Sequence, residues 1–122
     1  MGTIIQAECE CGYKSKLIYA GRGMFGTGCT VPALCRNCNE IVAVKYLPPD
    51  AQCPNCGKEV IFNNDVSLRQ EREDVNNTEI QIIDIFNWRI GENKFFRLPD
   101  TFYLCPKCKK MTMRFMYAGN WD

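Results

Sequence analysis

Cysteine spacing constrains this chain more than any other feature of its sequence. Eight of the nine cysteines fall into four close pairs, while Cys29 stands alone. The pairs are Cys9/Cys11, Cys35/Cys38, Cys53/Cys56 and Cys105/Cys108. Two cysteines separated by one or two residues bend the backbone into a knuckle that directs both sulfurs at one metal ion, and two knuckles complete a tetrahedral site. Because the chain contains no histidine, we expect two sites with four cysteine ligands each.

Length and composition are those of a globular protein. A chain of 122 residues forms one ordinary domain or two very small ones that share a core. No run approaches the roughly 18 apolar residues of a membrane-spanning helix, and residues 1–6 lack the basic and apolar regions of a signal peptide. We therefore expect a cytoplasmic protein. In a reducing compartment, paired cysteines bind metal more often than they form disulfides, which are the alternative.

Short strand-like runs flank each cysteine pair. The runs that follow the pairs are rich in β-branched and aromatic residues, as in residues 41–46 and 111–117. The coarse repeat is thus a hairpin with a metal knuckle at its tip, repeated four times. Few segments have the pattern of a long amphipathic helix, so we expect a mostly β fold.

The segment between the third and fourth pairs has a different character. Residues 63–78 are polar and charged, which predicts a loop, with a short helix or a disordered segment as the alternatives. Residues 79–90 form a strong strand candidate, and residues 91–93 are typical of a turn. Residues 94–98 then predict a strand that runs back along the first.

The two middle pairs have the spacing Cys-x2-Cys-x14-Cys-x2-Cys, which is close to that of a zinc ribbon. Residues 35–57 also resemble the short rubredoxin-like domains of rubrerythrins, which have a knuckle, one strand, a proline-rich turn and a Cys-Pro-x-Cys-Gly knuckle. The resemblance implies a zinc-ribbon fold for this segment and is only weakly informative about function. Asn39 stands where that family usually has glycine, and asparagine also tolerates the positive φ expected there.

The first and last pairs remain for a second site that joins the two ends of the chain. We expect a single compact unit over residues 1–122, with an inner ribbon at 35–57 and an outer ribbon formed by 1–20 and 100–122. The alternative is a sequential arrangement, in which the first pair shares an ion with the second and the third with the fourth. Short connections favour that alternative. The ligands are the same in both arrangements.

Bound metal changes the charge of the protein. The formal net charge is +1, but eight thiolates add eight negative charges and two divalent ions add four positive ones, which gives about −3. A general nucleic-acid-binding protein has a broad basic surface, so we expect a protein partner and no membrane partner. Nucleic acid is the alternative, bound through the lysines around the last pair, Lys107, Lys109 and Lys110.

Closed four-cysteine sites leave no coordination position for a substrate, so we expect two structural zinc ions and no enzymatic activity. Iron in a rubredoxin-like site, which would transfer electrons, is the alternative. Cys29 is expected to be a small apolar side chain, buried or in a loop. A reactive thiol is the alternative, but no histidine exists to act as its base. Residues 21–26 match the letters of a dinucleotide-binding loop, but no helix pattern follows them, and we expect a plain glycine-rich loop.

Overall fold

The computed structural model describes residues 2–22, 29–46, 52–70, 84–91 and 93–121. These residues form eight β-strands and one short 3-10 helix, and none of the described ranges contains an α-helix. The strands are β1 (Gly2–Cys9), β2 (Ile18–Gly21), β3 (Thr30–Cys35), β4 (Glu40–Lys45), β5 (Ile61–Phe62), β6 (Asp84–Gly91), β7 (Lys94–Pro99) and β8 (Met113–Trp121). The expected mostly β class is therefore confirmed. Among these residues, no helix is long and apolar enough to cross a membrane.

The main sheet is antiparallel and has the strand order β4-β3-β2-β1-β8, with β5 beside β3. Its longest pairing brings the two ends of the chain together. Strand β1 pairs with β8 along its whole length, from Gly2 opposite Trp121 to Cys9 opposite Met113. This register places the end of β1 next to the beginning of β8, where the first and last cysteine pairs lie.

A proline inside β3 explains how β5 reaches that strand. The Tyr46 amide donates to the Cys29 carbonyl. Hydrogen-bonded and non-hydrogen-bonded residue pairs alternate along an antiparallel ladder, so Pro32, three residues after Cys29, makes no hydrogen bond to β4. The side of β3 that lacks an N–H at Pro32 therefore faces away from β4, as a proline in a sheet requires. The Pro32 carbonyl also faces away from β4, and it accepts from the Asn63 amide at 3.1 Å. The chain after the third cysteine pair is thereby held against β3.

A second, two-stranded sheet of β6 and β7 completes the core. Its inward side chains Phe86, Phe96 and Leu98 are buried, and the Phe96 ring lies 5.4 Å from that of Tyr46, which follows β4. The predicted hairpin is confirmed from residue 84 onward, while residues 79–83 lie outside the described part. Asn93 has the positive φ, 59°, of a tight turn.

The predicted polar loop at 63–78 is described only as far as residue 70. That part contains a 3-10 helix, Val66–Leu68, which agrees with the short helix that was one of the alternatives. The Asp65 carboxylate caps this turn by accepting from the Ser67 amide at 2.9 Å. Leu68 is buried and anchors the segment in the core.

Candidate metal centres

The outer centre lies where β1 and β8 meet. Cys9 is the last residue of β1, and Cys11 follows in the turn; Cys105 and Cys108 come from the turn that precedes β8. The four Sγ atoms all lie within 4.8 Å of one another. The sulfurs of Cys9 and Cys108 are 3.7 Å apart, as are those of Cys11 and Cys105.

The inner centre lies at the turn between β3 and β4. Cys35 ends β3 and Cys38 lies in the turn to β4, while the pairing of β5 with β3 brings Cys53 and Cys56 alongside. These four Sγ atoms also lie within 4.8 Å of one another. Two of the separations, Cys35 to Cys56 and Cys38 to Cys53, are 3.6 and 3.8 Å.

The sulfur separations fit a tetrahedral metal ion. Zinc–sulfur bonds of about 2.3 Å give a tetrahedron whose sulfur–sulfur edges are about 3.8 Å. A disulfide would need about 2.0 Å, and all nine cysteines are free thiols. The structure thus groups the pairs in the nested way, and the sequential alternative is wrong because the β1–β8 pairing places the first pair beside the last.

A residue with positive φ follows the second cysteine of every knuckle. The four residues are Gly12 (φ 101°), Asn39 (φ 54°), Gly57 (φ 75°) and Lys109 (φ 60°). This conformation turns the chain back, so that the Cys53 amide donates to the Lys58 carbonyl and the Cys105 amide to the Lys110 carbonyl. Within the knuckles, the amides of Cys38, Asn55 and Lys107 lie 3.4 Å from the sulfur of the first cysteine. The expectation for Asn39 is confirmed. Lys109 carried no such indication, since lysine rarely adopts this region.

The tighter Cys-x-Cys knuckle makes the same turn with one residue fewer. In the third knuckle the Cys53 amide donates to the Lys58 carbonyl at 2.8 Å, five residues on. In the first knuckle the Cys9 amide donates to the Tyr13 carbonyl at 3.0 Å, only four residues on. Both turns are closed by a glycine amide that donates to the carbonyl of the first cysteine. The shorter spacing is thus compatible with the same sulfur arrangement.

Sulfur ionisation differs within each centre because neighbouring groups favour one thiolate over another. The hydroxyl of Thr112 holds the pKa of Cys108 at about 6, and the Lys58 backbone N–H does the same for Cys56. Burial raises the pKa of Cys105 to about 12. Adjacent thiolates repel one another, which disfavours ionising all four cysteines of a centre. A divalent cation among them offsets this repulsion and stabilises the thiolate form. The chemistry of both sulfur sets therefore suits a cation.

Thr112 is a site residue that the sequence did not reveal. Its Oγ1 lies 3.1 Å from Cys9 Sγ and 3.6 Å from Cys108 Sγ. When these sulfurs are thiolates, the hydroxyl donates to them, so it touches ligands from both knuckles of the outer centre. Groups in this position orient metal ligands and tune their basicity.

The two centres are also in contact with each other. Lys109 Nζ, beside the outer centre, donates to Asn39 Oδ1, beside the inner one, at 2.7 Å. The Tyr13 hydroxyl accepts from the Ile41 amide of β4 at 2.9 Å. A cleft of about 440 Å³ separates the chain around Lys16 from β4. These contacts span parts of the chain that are distant in sequence, so no local pattern predicted them.

Cys29 lies apart from both centres, as expected. It is 7% exposed, and burial raises its pKa to about 11. It is a small buried side chain, and its Sγ lies 3.8 Å from the Thr30 carbonyl oxygen. Of the glycine-rich loop at 21–26, only Gly21 and Arg22 lie in the described part of the chain.

Comparison of the chain with known protein families, with curated proteins and with solved structures found no match. The resemblance of residues 35–57 to rubredoxin-like domains therefore still depends on the motif alone. The geometry defines the protein at a coarser level. It is a small, mostly β protein with two clusters of four cysteines that could each hold a metal ion.

Proposed function

We propose that this protein binds two structural zinc ions through its eight paired cysteines and has no catalytic activity of its own. The observation that carries the proposal is the closed tetrahedral spacing of the sulfurs in both clusters. Four thiolates fill the coordination shell of zinc and leave no position for a substrate. Metal binding then supplies folding energy to a chain of only 122 residues.

A set of cysteine variants tests the structural role of the metals. Cys105→Ser and Cys56→Ser each remove one buried or half-buried ligand, and we expect protein that is largely unfolded or insoluble and has lost the ion of the changed centre. Cys29→Ser is the matched control, because it changes a buried cysteine outside both clusters. Metal content and circular dichroism are measured for each. A folded Cys105→Ser protein that retains two ions contradicts the ligand assignment.

The nested pairing has its own test. Two ligands of one centre are changed together in Cys11→Ala/Cys105→Ala, and one ligand of each centre is changed in Cys11→Ala/Cys38→Ala. If the pairing is nested, the soluble fraction of the first variant keeps one zinc ion per chain, at the intact inner centre, and the second variant loses affinity at both centres. Equal zinc content in both proteins contradicts the pairing.

We further propose that the protein binds another protein. The support is an exposed, partly apolar sheet face, here called the outer face, which consists of Ile4, Gln6, Tyr19, Met116 and Trp121. The strand registers place Tyr19 opposite Ile4 and Met116 opposite Gln6. Tyr19 and Met116 are 48% and 45% exposed, and contiguous apolar surface of this kind often contacts other proteins.

Affinity capture from the native host tests this face. The zinc-loaded wild type is compared with Tyr19→Ser/Met116→Ser, which should keep both metals because neither residue touches a centre. We expect a host protein that the wild type retains and the variant does not. Retention of the same proteins by both would contradict a role for the outer face.

Nucleic-acid binding is a second candidate, supported by exposed Lys107 and Lys110 beside the outer centre. Binding to single-stranded and duplex oligonucleotides is measured at increasing salt, with the change of Lys107, Lys109 and Lys110 to Glu as the test variant. We expect weak binding with a shallow salt dependence, since few phosphates can be contacted. Sub-micromolar affinity at physiological salt would place nucleic acid ahead of protein.

Iron and electron transfer are the third candidate, supported by the amide-to-sulfur contacts at 3.4 Å, which also occur around iron–sulfur ligands. The absorption spectrum separates the two metals. We expect a colourless zinc protein, whereas a red protein with visible charge-transfer bands would show ferric iron.

A further inference from the structure

We propose that the two metal centres are coupled, so that zinc in one centre raises the affinity of the other. The coupling runs through two contacts, Lys109 to Asn39 and Tyr13 to Ile41. This inference rests on the proposed function, because it assumes that both clusters bind metal. It adds a thermodynamic property that neither centre would have alone.

The first contact joins equivalent positions of two knuckles. Asn39 directly follows Cys38 in the inner centre, and Lys109 directly follows Cys108 in the outer one. Both have positive φ, 54° and 60°, a conformation that lysine in particular rarely adopts on its own. Closing the sulfurs around an ion fixes that turn. An ordered knuckle therefore presents its side chain to the other knuckle, and the 2.7 Å bond forms when both are closed.

The second contact joins the outer centre to the strand that leaves the inner one. The Tyr13 carbonyl accepts from the Cys9 amide at 3.0 Å, so this residue is part of the first knuckle. Its hydroxyl accepts at 2.9 Å from the amide of Ile41, which pairs with Leu34 beside Cys35. An ordered first knuckle thus stabilises the end of the β3–β4 hairpin that carries Cys35. An ordered hairpin stabilises the first knuckle through the same contact.

Charge gives the first contact a further role. A divalent ion with four thiolates leaves each loaded centre with two excess negative charges, and two such centres repel each other. The ammonium group of Lys109 lies between the knuckles and offsets part of that repulsion. This charge therefore lowers the electrostatic cost of loading both centres, and the favourable coupling itself comes from the two hydrogen-bonded contacts. Coupling between sites in proteins typically changes affinity by about 5- to 150-fold.

Partial removal of zinc from the full chain tests the coupling. Chelator is added in steps to the zinc-loaded protein, and native mass spectrometry counts chains that hold zero, one and two ions. When half of the zinc has been removed from two independent centres, half or more of the chains hold one ion. Tenfold coupling between two equal sites lowers this one-ion fraction to about a quarter. We expect the wild type to fall well below half.

Variants assign the coupling to these contacts. Asn39→Gly removes the amide oxygen yet suits the positive φ, and Tyr13→Phe removes the hydroxyl. The double variant should show a clear rise in one-ion chains. Lys109→Met should show part of this rise, and Lys110→Met, which removes an equal charge from the adjacent exposed residue, should show none.

Each outcome separates the two proposals. A wild type that holds fewer than two zinc ions contradicts the proposed function itself. A wild type that holds two ions, with half or more of the chains in the one-ion state at half removal, contradicts the coupling only. Low one-ion fractions that persist in the double variant also overturn the inference, because the shared core would then link the centres without these contacts.

Discussion

Replacing Thr112 with valine should weaken the outer metal centre and leave the fold intact. Valine keeps the β-branched shape and loses only the hydroxyl, which lies 3.1 Å from Cys9 Sγ and 3.6 Å from Cys108 Sγ. Within the part of the chain that the structure describes, Thr112 is the residue outside the cysteine pairs whose side chain contacts the sulfurs of this centre. Loss of one such outer partner typically lowers metal affinity by about 10- to 100-fold, or about 1.4 to 2.7 kcal/mol.

The assay is competition for zinc with a coloured chelator of known affinity. In the wild type we expect two equivalents to transfer over a narrow range of chelator concentration. In Thr112→Val, one equivalent should transfer at a 10- to 100-fold lower concentration of chelator. Thr112→Ser is the matched control, since it restores the hydroxyl and should recover most of the affinity. Circular dichroism of the zinc-loaded proteins checks that the fold is unchanged.

Two results would refute this reasoning. Zinc transfer from Thr112→Val at the wild-type chelator concentration would show that the hydroxyl does not support the thiolates. A Thr112→Ser protein as weak as Thr112→Val would show that restoring the hydroxyl does not restore the affinity. Either result would remove Thr112 from the metal centre.

Three further predictions concern the fold. Phe96→Ala should destabilise the zinc-loaded protein by about 3 to 5 kcal/mol, because the ring is 0% exposed. Phe95→Ala, at a 51% exposed position on the same strand, should change stability by about 0.5 kcal/mol or less. Denaturant unfolding measures both. Gly2→Ala should lower the melting temperature, because the added Cβ would collide with the Trp121 ring and the Ala20 carbonyl; an unchanged melting temperature would contradict the β1–β8 packing. Burial raises the Cys29 pKa from 9.0 to about 11, so its contribution to stability is complete below pH 9 and is lost as pH rises through 11. Cys29→Ala should therefore lose less stability than the wild type between pH 8 and pH 11, and equal losses would refute the assignment.

The sequence predicted the parts of this protein whose chemistry is local. Paired cysteines predict knuckles because sulfur spacing along the chain decides whether one ion can be shared, and all four pairs occur at the tips of antiparallel turns. The positive φ at Asn39 followed from the same local geometry. The β6–β7 hairpin could be expected from its strand residues and its turn.

The rest depends on contacts between distant residues. The spacing of the cysteines left two ways to share the ions, and the pairing of β1 with β8 decides between them. Thr112 reaches Cys9 across 103 positions of sequence, and Lys109 reaches Asn39 across 70. A threonine or a lysine near a cysteine pair is too common for its role to be read from the sequence. Only the sheet register brings these side chains to their partners.

The most direct test of the account combines metal content with X-ray absorption at the zinc edge on the purified full chain. We predict two zinc ions per chain, each with four sulfur ligands at about 2.3 Å and no nitrogen or oxygen ligand. One ion or none per chain, or a shell that contains light atoms, would contradict the claim that the eight paired cysteines form two closed metal centres.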